Sequence, residues 1–159
     1  MKCLFVIAVL TILLTGCGEK VESGHEKFLS NEQWGEVVEE IVNEVDLPAL
    51  MFLSEKEINH LMGIDTDDLK SYLVLMPMMR VHASQILVFQ IKEGKMGTIK
   101  AAVDAYFEAY EQQWTGSLSE QYDLIKKRLE KTVGNTLIVI IADDVETIES
   151  KINEVLNSL

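Results

Sequence analysis

Apolar residues recur along this chain with two different periods. Trp34, Val37, Val38, Ile41, Val42 and Val45 follow spacings of three and four, which predicts an amphipathic helix. Ser30 with Gln33 fits a capping box at its start, and Leu29 with Trp34 a hydrophobic staple. Asp46-Leu47-Pro48 ends it, because the residue before a proline avoids the helical region. The stretch LSEKEINHLMG repeats this grammar in a short helix: Ser54 pairs with Glu57, Leu53 with Ile58, and Gly63 suits a left-handed C-cap. The clearest helix is GTIKAAVDAYFEAYEQQW, whose stripe is Ile99, Ala102, Val103, Tyr106, Phe107 and Tyr110, with Thr115-Gly116 breaking it. Ser117 and Glu120 offer a capping box for a further helix as far as Glu130, with Tyr122, Ile125 and Leu129 inward. Asp143 with Glu146 is placed to cap a last helix, which turns Ile148, Ile152, Val155 and Leu156 to the core.

Between the helical patterns the apolar runs become nearly continuous. Tyr72 to Met79 and Gln85 to Ile91 read as strands, and the short link Arg80 to Ser84 predicts an antiparallel hairpin. Pro77 lacks an amide proton, which favours an edge position or a bulge for its strand. Thr136 to Ala142 is almost wholly apolar, as expected of a central strand covered on both faces. Gly134-Asn135 is a turn signal before it, and Lys131 to Val133 adds a short strand. The order predicts one α+β domain over residues 29–159, a small, mostly antiparallel sheet of three to four strands packed with helices.

The first apolar run has another character. Lys2 precedes Leu4 to Leu14, eleven residues that as a helix would extend roughly 16 Å, against a hydrocarbon core of about 30 Å. It reads as a cleaved signal peptide, residues 1–16. Its end, Leu14-Thr15-Gly16-Cys17, resembles the lipobox of bacterial lipoproteins. That resemblance implies a diacylglyceryl thioether on Cys17, cleavage before it, and acylation of the new amine by a fatty acid such as palmitate. Two acyl chains give stable attachment where one is marginal. Membrane lipid is therefore the expected partner, through acylated Cys17, at the extracytoplasmic face of the cell membrane. Residues 17–28 read as lipidated cysteine and polar tether, with His25 exposed in it. Cys3 belongs to the discarded segment, so the mature chain has no disulfide and no free thiol.

Charge narrows the partners. From Cys17 onward 143 residues remain, with 13 Lys+Arg against 26 Asp+Glu, a formal charge of −13. Such a surface repels phosphates, which argues against nucleic acid. Asp65-Thr66-Asp67-Asp68 fails as a calcium loop, because the positions that need oxygen ligands and glycine hold Leu69 and Lys70; a capping turn is expected. Met76, Met78 and Met79 have the softness to bind Cu(I), but strand thioethers more often fill a core. His25, His60 and His82 lack metal-ligand spacing. Neither G-x-S-x-G nor S-x-x-K occurs, and Ser117 and Ser119 read as caps. No catalytic residue, metal or cofactor is assigned. Tyr106, Phe107, Tyr110 and Trp114 lie along one helix and read as core, with Trp114 expected to be partly exposed and available to a partner.

The lipobox, the polar tether, YLVLMPMM, QILVFQIK, EQYDLIKKR and VGNTLIVIIADD together resemble the domain-of-unknown-function family 4358. The chain departs from that family at residues 115–122, which lack a proline before Glu120-Gln121-Tyr122. The resemblance implies a cell-surface lipoprotein of Gram-positive bacteria related to clostridia, and it carries over no functional residue. The expected function is a non-enzymatic envelope module that binds another envelope component, such as a protein, or presents a surface. The alternatives are a binding protein taking a cationic solute or peptide on its acidic face, and an envelope enzyme.

Overall fold

A computed structural model describes residues 28–116 and 118–159. The signal peptide, Cys17, the tether and His25 lie outside the described residues, as does Ser117. The described elements are α1 (Asn31–Glu44), β1 (Leu50–Phe52), α2 (Glu55–Met62), a 3-10 turn (Thr66–Asp68), β2 (Leu69–Pro77), β3 (Gln85–Ile91), α3 (Met96–Trp114), α4 (Ser119–Lys126), β4 (Leu129–Val133), β5 (Thr136–Ile141) and α5 (Val145–Asn157). The strands form one sheet in the order β1-β2-β3-β5-β4, every neighbour antiparallel. The α+β class holds, with five strands among the described residues rather than three to four.

Both faces of the sheet are covered, and alternation along the strands divides the core in two. Leu87, Phe89, Leu137, Val139 and Ile141 face α2, α3 and α4, where Ile58, Met62, Ile99, Val103, Phe107 and Ile125 meet them. Their neighbours Ile86, Val88, Ile138 and Ile140 face α1 and α5, against Trp34, Val37, Ile41, Ile148 and Ile152. Every residue of β3 and of β5 is buried, which is why their sequences lack the polar alternation of a half-exposed strand.

Local signals set most boundaries. The Ser30–Gln33 capping box closes reciprocally, and Leu29 and Trp34 join the same core cluster. At α2 the Glu57 carboxylate accepts from both the amide and the hydroxyl of Ser54, and Gly63 takes φ 67°. Gly134 adopts φ 56° in the β4–β5 hairpin, a left-handed conformation that glycine takes without strain.

Several expectations need correction. β1 follows Pro48 and is too short for a periodic signal. Val42 is exposed, because α1 packs along the narrower line Trp34–Val37–Ile41–Val45. β2 begins at Leu69 and ends at Pro77; it is interior, and its bulge lies between Leu69 and Ser71, not at the proline. Pro77 is tolerated at the strand tip, where the β2–β3 ladder has already ended at Leu75–Ile86. α4 starts at Ser119 with Leu118 in the cap position and stops at Lys126. Leu129 and Glu130 are drawn instead into β4 by pairing with Ile140 and Val139. Asp144, not Asp143, caps α5, accepting from the Thr147 amide at 3.1 Å.

Two buried hydrogen bonds tie the start of the domain to the sheet. The Trp34 indole donates to Ser71 Oγ at 2.7 Å, and the Leu29 amide to Gln90 Oε1 at 3.0 Å. Phe28, exposed, lies against Lys70 beside them. Replacing Ser71 by Ala leaves a buried indole N–H without an acceptor, and is expected to cost about 1–3 kcal/mol. Trp34→Phe removes the donor as well and should rescue part of that loss in the double variant. Urea unfolding of the four proteins checks this; equal losses for Ser71→Ala in both backgrounds would contradict it.

Candidate interaction surface at the hairpin end of the sheet

The β2–β3 turn, the C-terminus of α3, the start of α4 and the β5–α5 turn share one end of the sheet. The register places them there: Gln85, first in β3, is opposite Ile141, last in β5, while the Ala83 amide donates to Gln121 Oε1 of α4 at 2.7 Å. β2 spans nine residues, so roughly 30 Å of strand separates this end from Phe28, where the preceding chain joins the domain.

Beneath the surface lies a polar and aromatic cluster. Tyr106 donates from its phenol to Gln85 Oε1 at 3.2 Å. The rings of Tyr106 and Tyr110 stack at 5.6 Å, and Tyr110 meets Trp114 edge-on at 6.0 Å. Burial pushes the Tyr106 phenol well above the usual tyrosine range, and Tyr110 upward for the same reason. Both therefore act as neutral hydrogen-bonding groups. Gln85 is fully buried, and its Nε2 meets no acceptor at hydrogen-bonding geometry. Trp114 is only 7% exposed, against the expectation that it is free for a partner: α3 lies on the sheet to its last residue, so the indole closes the core.

Beside the cluster, Glu111 accepts from Arg128 and from Lys126, at 2.5 and 3.2 Å. The Arg128 guanidinium lies 4.8 Å over the Phe107 ring, and its Nε is buried without an acceptor. These contacts pin α4 and the start of β4 to α3.

The outer layer is apolar. Met78, Met79 and Val81 are 63%, 59% and 53% exposed, and Leu118 projects from the start of α4. Next to them runs β1, whose Met51 and Phe52 are also exposed and whose preceding Ala49 carbonyl accepts from the Met78 amide at 2.9 Å. The core reading therefore holds for Met76, which packs partly buried on the α3 side, and fails for Met78 and Met79. They follow Pro77, beyond the last paired residue, where no helix covers them. The strand segments on this side carry no acid, and the nearest acids of this end are Glu120 at the start of α4 and Asp143 and Asp144 in the β5–α5 turn. From Leu69 through Lys92 there is no Asp or Glu, nor from Leu47 through Ser54, in a chain of 26 acidic residues. Arg80 is exposed between Met79 and Val81 and has no ion pair or side-chain hydrogen bond among the described residues.

The other residues singled out from sequence fall elsewhere. Asp65 caps the 3-10 turn by accepting from the Asp67 amide at 3.0 Å, and Asp68 pairs with Lys95 at 2.8 Å, which is the capping turn expected. His60 is exposed on α2 and His82 half-buried in the β2–β3 loop. Among the described residues no three His, Cys, Asp or Glu side chains gather in a metal-binding group. Ser119 is the first residue of α4. The hairpin-end surface was not legible as a site. Its signal was the coincidence of apolar, acid-free segments that only the fold makes adjacent.

The family described as a domain of unknown function, DUF4358, matches residues 43–142, from the end of α1 through β5. The chain belongs to that family. No match was found among curated proteins or among solved structures. The matched region of this DUF4358 protein contains the whole sheet and the exposed apolar residues of the hairpin end, while α5 and most of α1 lie outside it.

Arg128 and Lys126 hold the Glu111 carboxyl below its ordinary value, mainly through the Arg128 hydrogen bond. A carboxyl depressed in the folded state stabilises above its unfolded pKa, and that stabilisation disappears as pH falls through the folded pKa. Glu111→Gln is expected to cost about 1 kcal/mol at pH 7, the partial exposure of the pair limiting the effect. The difference from wild type should shrink as pH falls below 4.5. Thermal unfolding across that range checks it; a constant difference would assign the loss to packing.

Proposed function

We propose that this chain is a lipid-anchored extracytoplasmic protein of the cell envelope that binds another envelope protein and catalyses no reaction. The observation that carries the anchoring is the Leu14-Thr15-Gly16-Cys17 sequence, set behind a short apolar run and ahead of a polar tether. The fold is compatible with it. Among the described residues both core clusters are built from Leu29 onward, downstream of the leader and tether. Among the described residues no helix is long and apolar enough to cross a membrane. The diacylglyceryl group on Cys17 would supply the attachment, and the formal charge of −13 would keep the body off anionic headgroups.

Binding is favoured over catalysis by the character of the hairpin end. It presents exposed methionine, valine and phenylalanine. An exposed apolar surface of this kind in a monomer marks a contact site.

Cys17→Ala is expected to leave an uncleaved precursor that takes up no labelled palmitate, whereas the wild-type chain is labelled and partitions with membranes. Equal labelling of the two proteins, or a wild-type chain that washes off membranes at bare polypeptide mass, would overturn the anchoring.

A further inference from the structure

The two edges of the sheet are finished in opposite ways. β4 is guarded by charge: Glu130, on one face, is ion-paired with Lys100 of α3, and Lys131, on the other, reaches Glu149 of α5 at 2.6 Å. Charged side chains on an edge strand oppose pairing with another chain. β1 has no such guard. Leu50, Met51 and Phe52 are uncharged, and Met51 and Phe52 are exposed. Pro48 and the shortness of the strand are its blunting features among the described residues.

The ladder shows which groups the open edge offers. The Ala49 carbonyl accepts from the Met78 amide, and the Leu53 amide donates to the Val74 carbonyl, both at 2.9 Å. Residues 49, 51 and 53 therefore turn their backbone groups toward β2, and Leu50 and Phe52 turn theirs outward, because backbone direction alternates along an antiparallel strand. An added strand would find donors and acceptors at Leu50 and Phe52, with Met51 on one face and Phe52 on the other. At the Leu50 end it would reach the loop that carries Met78, Met79, Val81 and Arg80, which has no ion pair among the described residues.

We infer that the β1 edge is a docking site for an extended, apolar segment of another protein, added to the sheet as a further strand, with a carboxylate of that segment meeting Arg80. This rests on the binding role proposed above and is independent of the lipid anchor. A second copy of the chain fits less well. Three paired residues and a handful of apolar side chains fall short of the ~800 Å² per partner that stable dimers bury, and each copy brings a formal charge of −12. A bilayer fits less well because the tether joins at Phe28, at the far end of β2.

The test uses the full lipidated chain in nanodiscs of neutral phospholipid. The probes are two acetylated octapeptides of alternating threonine and valine, one ending in glutamate and its twin ending in lysine. The glutamate peptide should bind, shift the Leu50 and Phe52 amide resonances, and leave those of β4 unmoved. Phe52→Lys, at an exposed position, should weaken binding about ten-fold or more. Arg80→Glu should weaken the glutamate peptide by about ten-fold and make the lysine peptide the tighter ligand. The inference is overturned by failure of both peptides to bind at millimolar concentration, by binding that leaves Leu50 and Phe52 unshifted, or by an unchanged preference in Arg80→Glu. It is also overturned if the peptides do not bind and the hairpin end instead binds added anionic vesicles in a manner abolished by Met78→Asp. A chain that binds the peptide but never enters the nanodisc would count against the anchor while supporting the edge.

Discussion

Burial of the sheet on both faces is the constraint from which the other features of this protein follow. β3 and β5 are buried along their whole length, so every position but Gln85, Gln90 and Thr136 is apolar, and their side chains must divide between two separate cores. α1 and α5 close one core; α2, α3 and α4 close the other. With both faces occupied, the sheet can meet the outside only along its two edge strands and at its two ends. One end receives the chain from Phe28, tied down by the Trp34–Ser71 and Leu29–Gln90 hydrogen bonds. The other holds the Met78–Val81 loop.

Charge is distributed to match. Acidic residues crowd the helices and their caps, and six basic residues are paired there: Lys95 with Asp68, Lys100 with Glu130, Lys126 and Arg128 with Glu111, Lys131 with Glu149, Lys151 with Glu44. Individually these surface pairs contribute little to stability. Collectively they hold β4 and α4 against their neighbours and leave β1, β2 and β3 without an acid. The corner of β1 and the Met78–Val81 loop, which carries Arg80 and no acid in its own segments, is thus the part of this acidic molecule that can come close to another surface with the least repulsion.

Much of the fold could be read from the chain because its signals are local. Ser30 with Gln33, Ser54 with Glu57, Gly63 and the Gly134-Asn135 turn each act within a few residues, and each appears in the structure where the pattern put it. β1 could not be read, because three residues after a proline carry no period and become a strand only by pairing with β2. Trp114 is buried for a reason no local pattern carries: its place near a helix end says nothing about how far the sheet runs beneath it. The Arg128–Leu129 boundary between α4 and β4 is set by pairing with β5, which overrides a helical pattern through Leu129. The candidate surface joins Met51 and Phe52 to Met78 and Val81 across 26 or more residues of sequence, a juxtaposition that no local signal records.

Native-state hydrogen exchange tests two-sided burial most directly. If β3 and β5 are the shared floor of both cores, their amides should be the slowest in the molecule and exchange only with global unfolding, while the outward amides of Leu50 and Phe52 exchange orders of magnitude faster. Exchange of the β3 and β5 amides at rates close to those of the edge strand would mean that one helical layer opens readily, and would contradict the account.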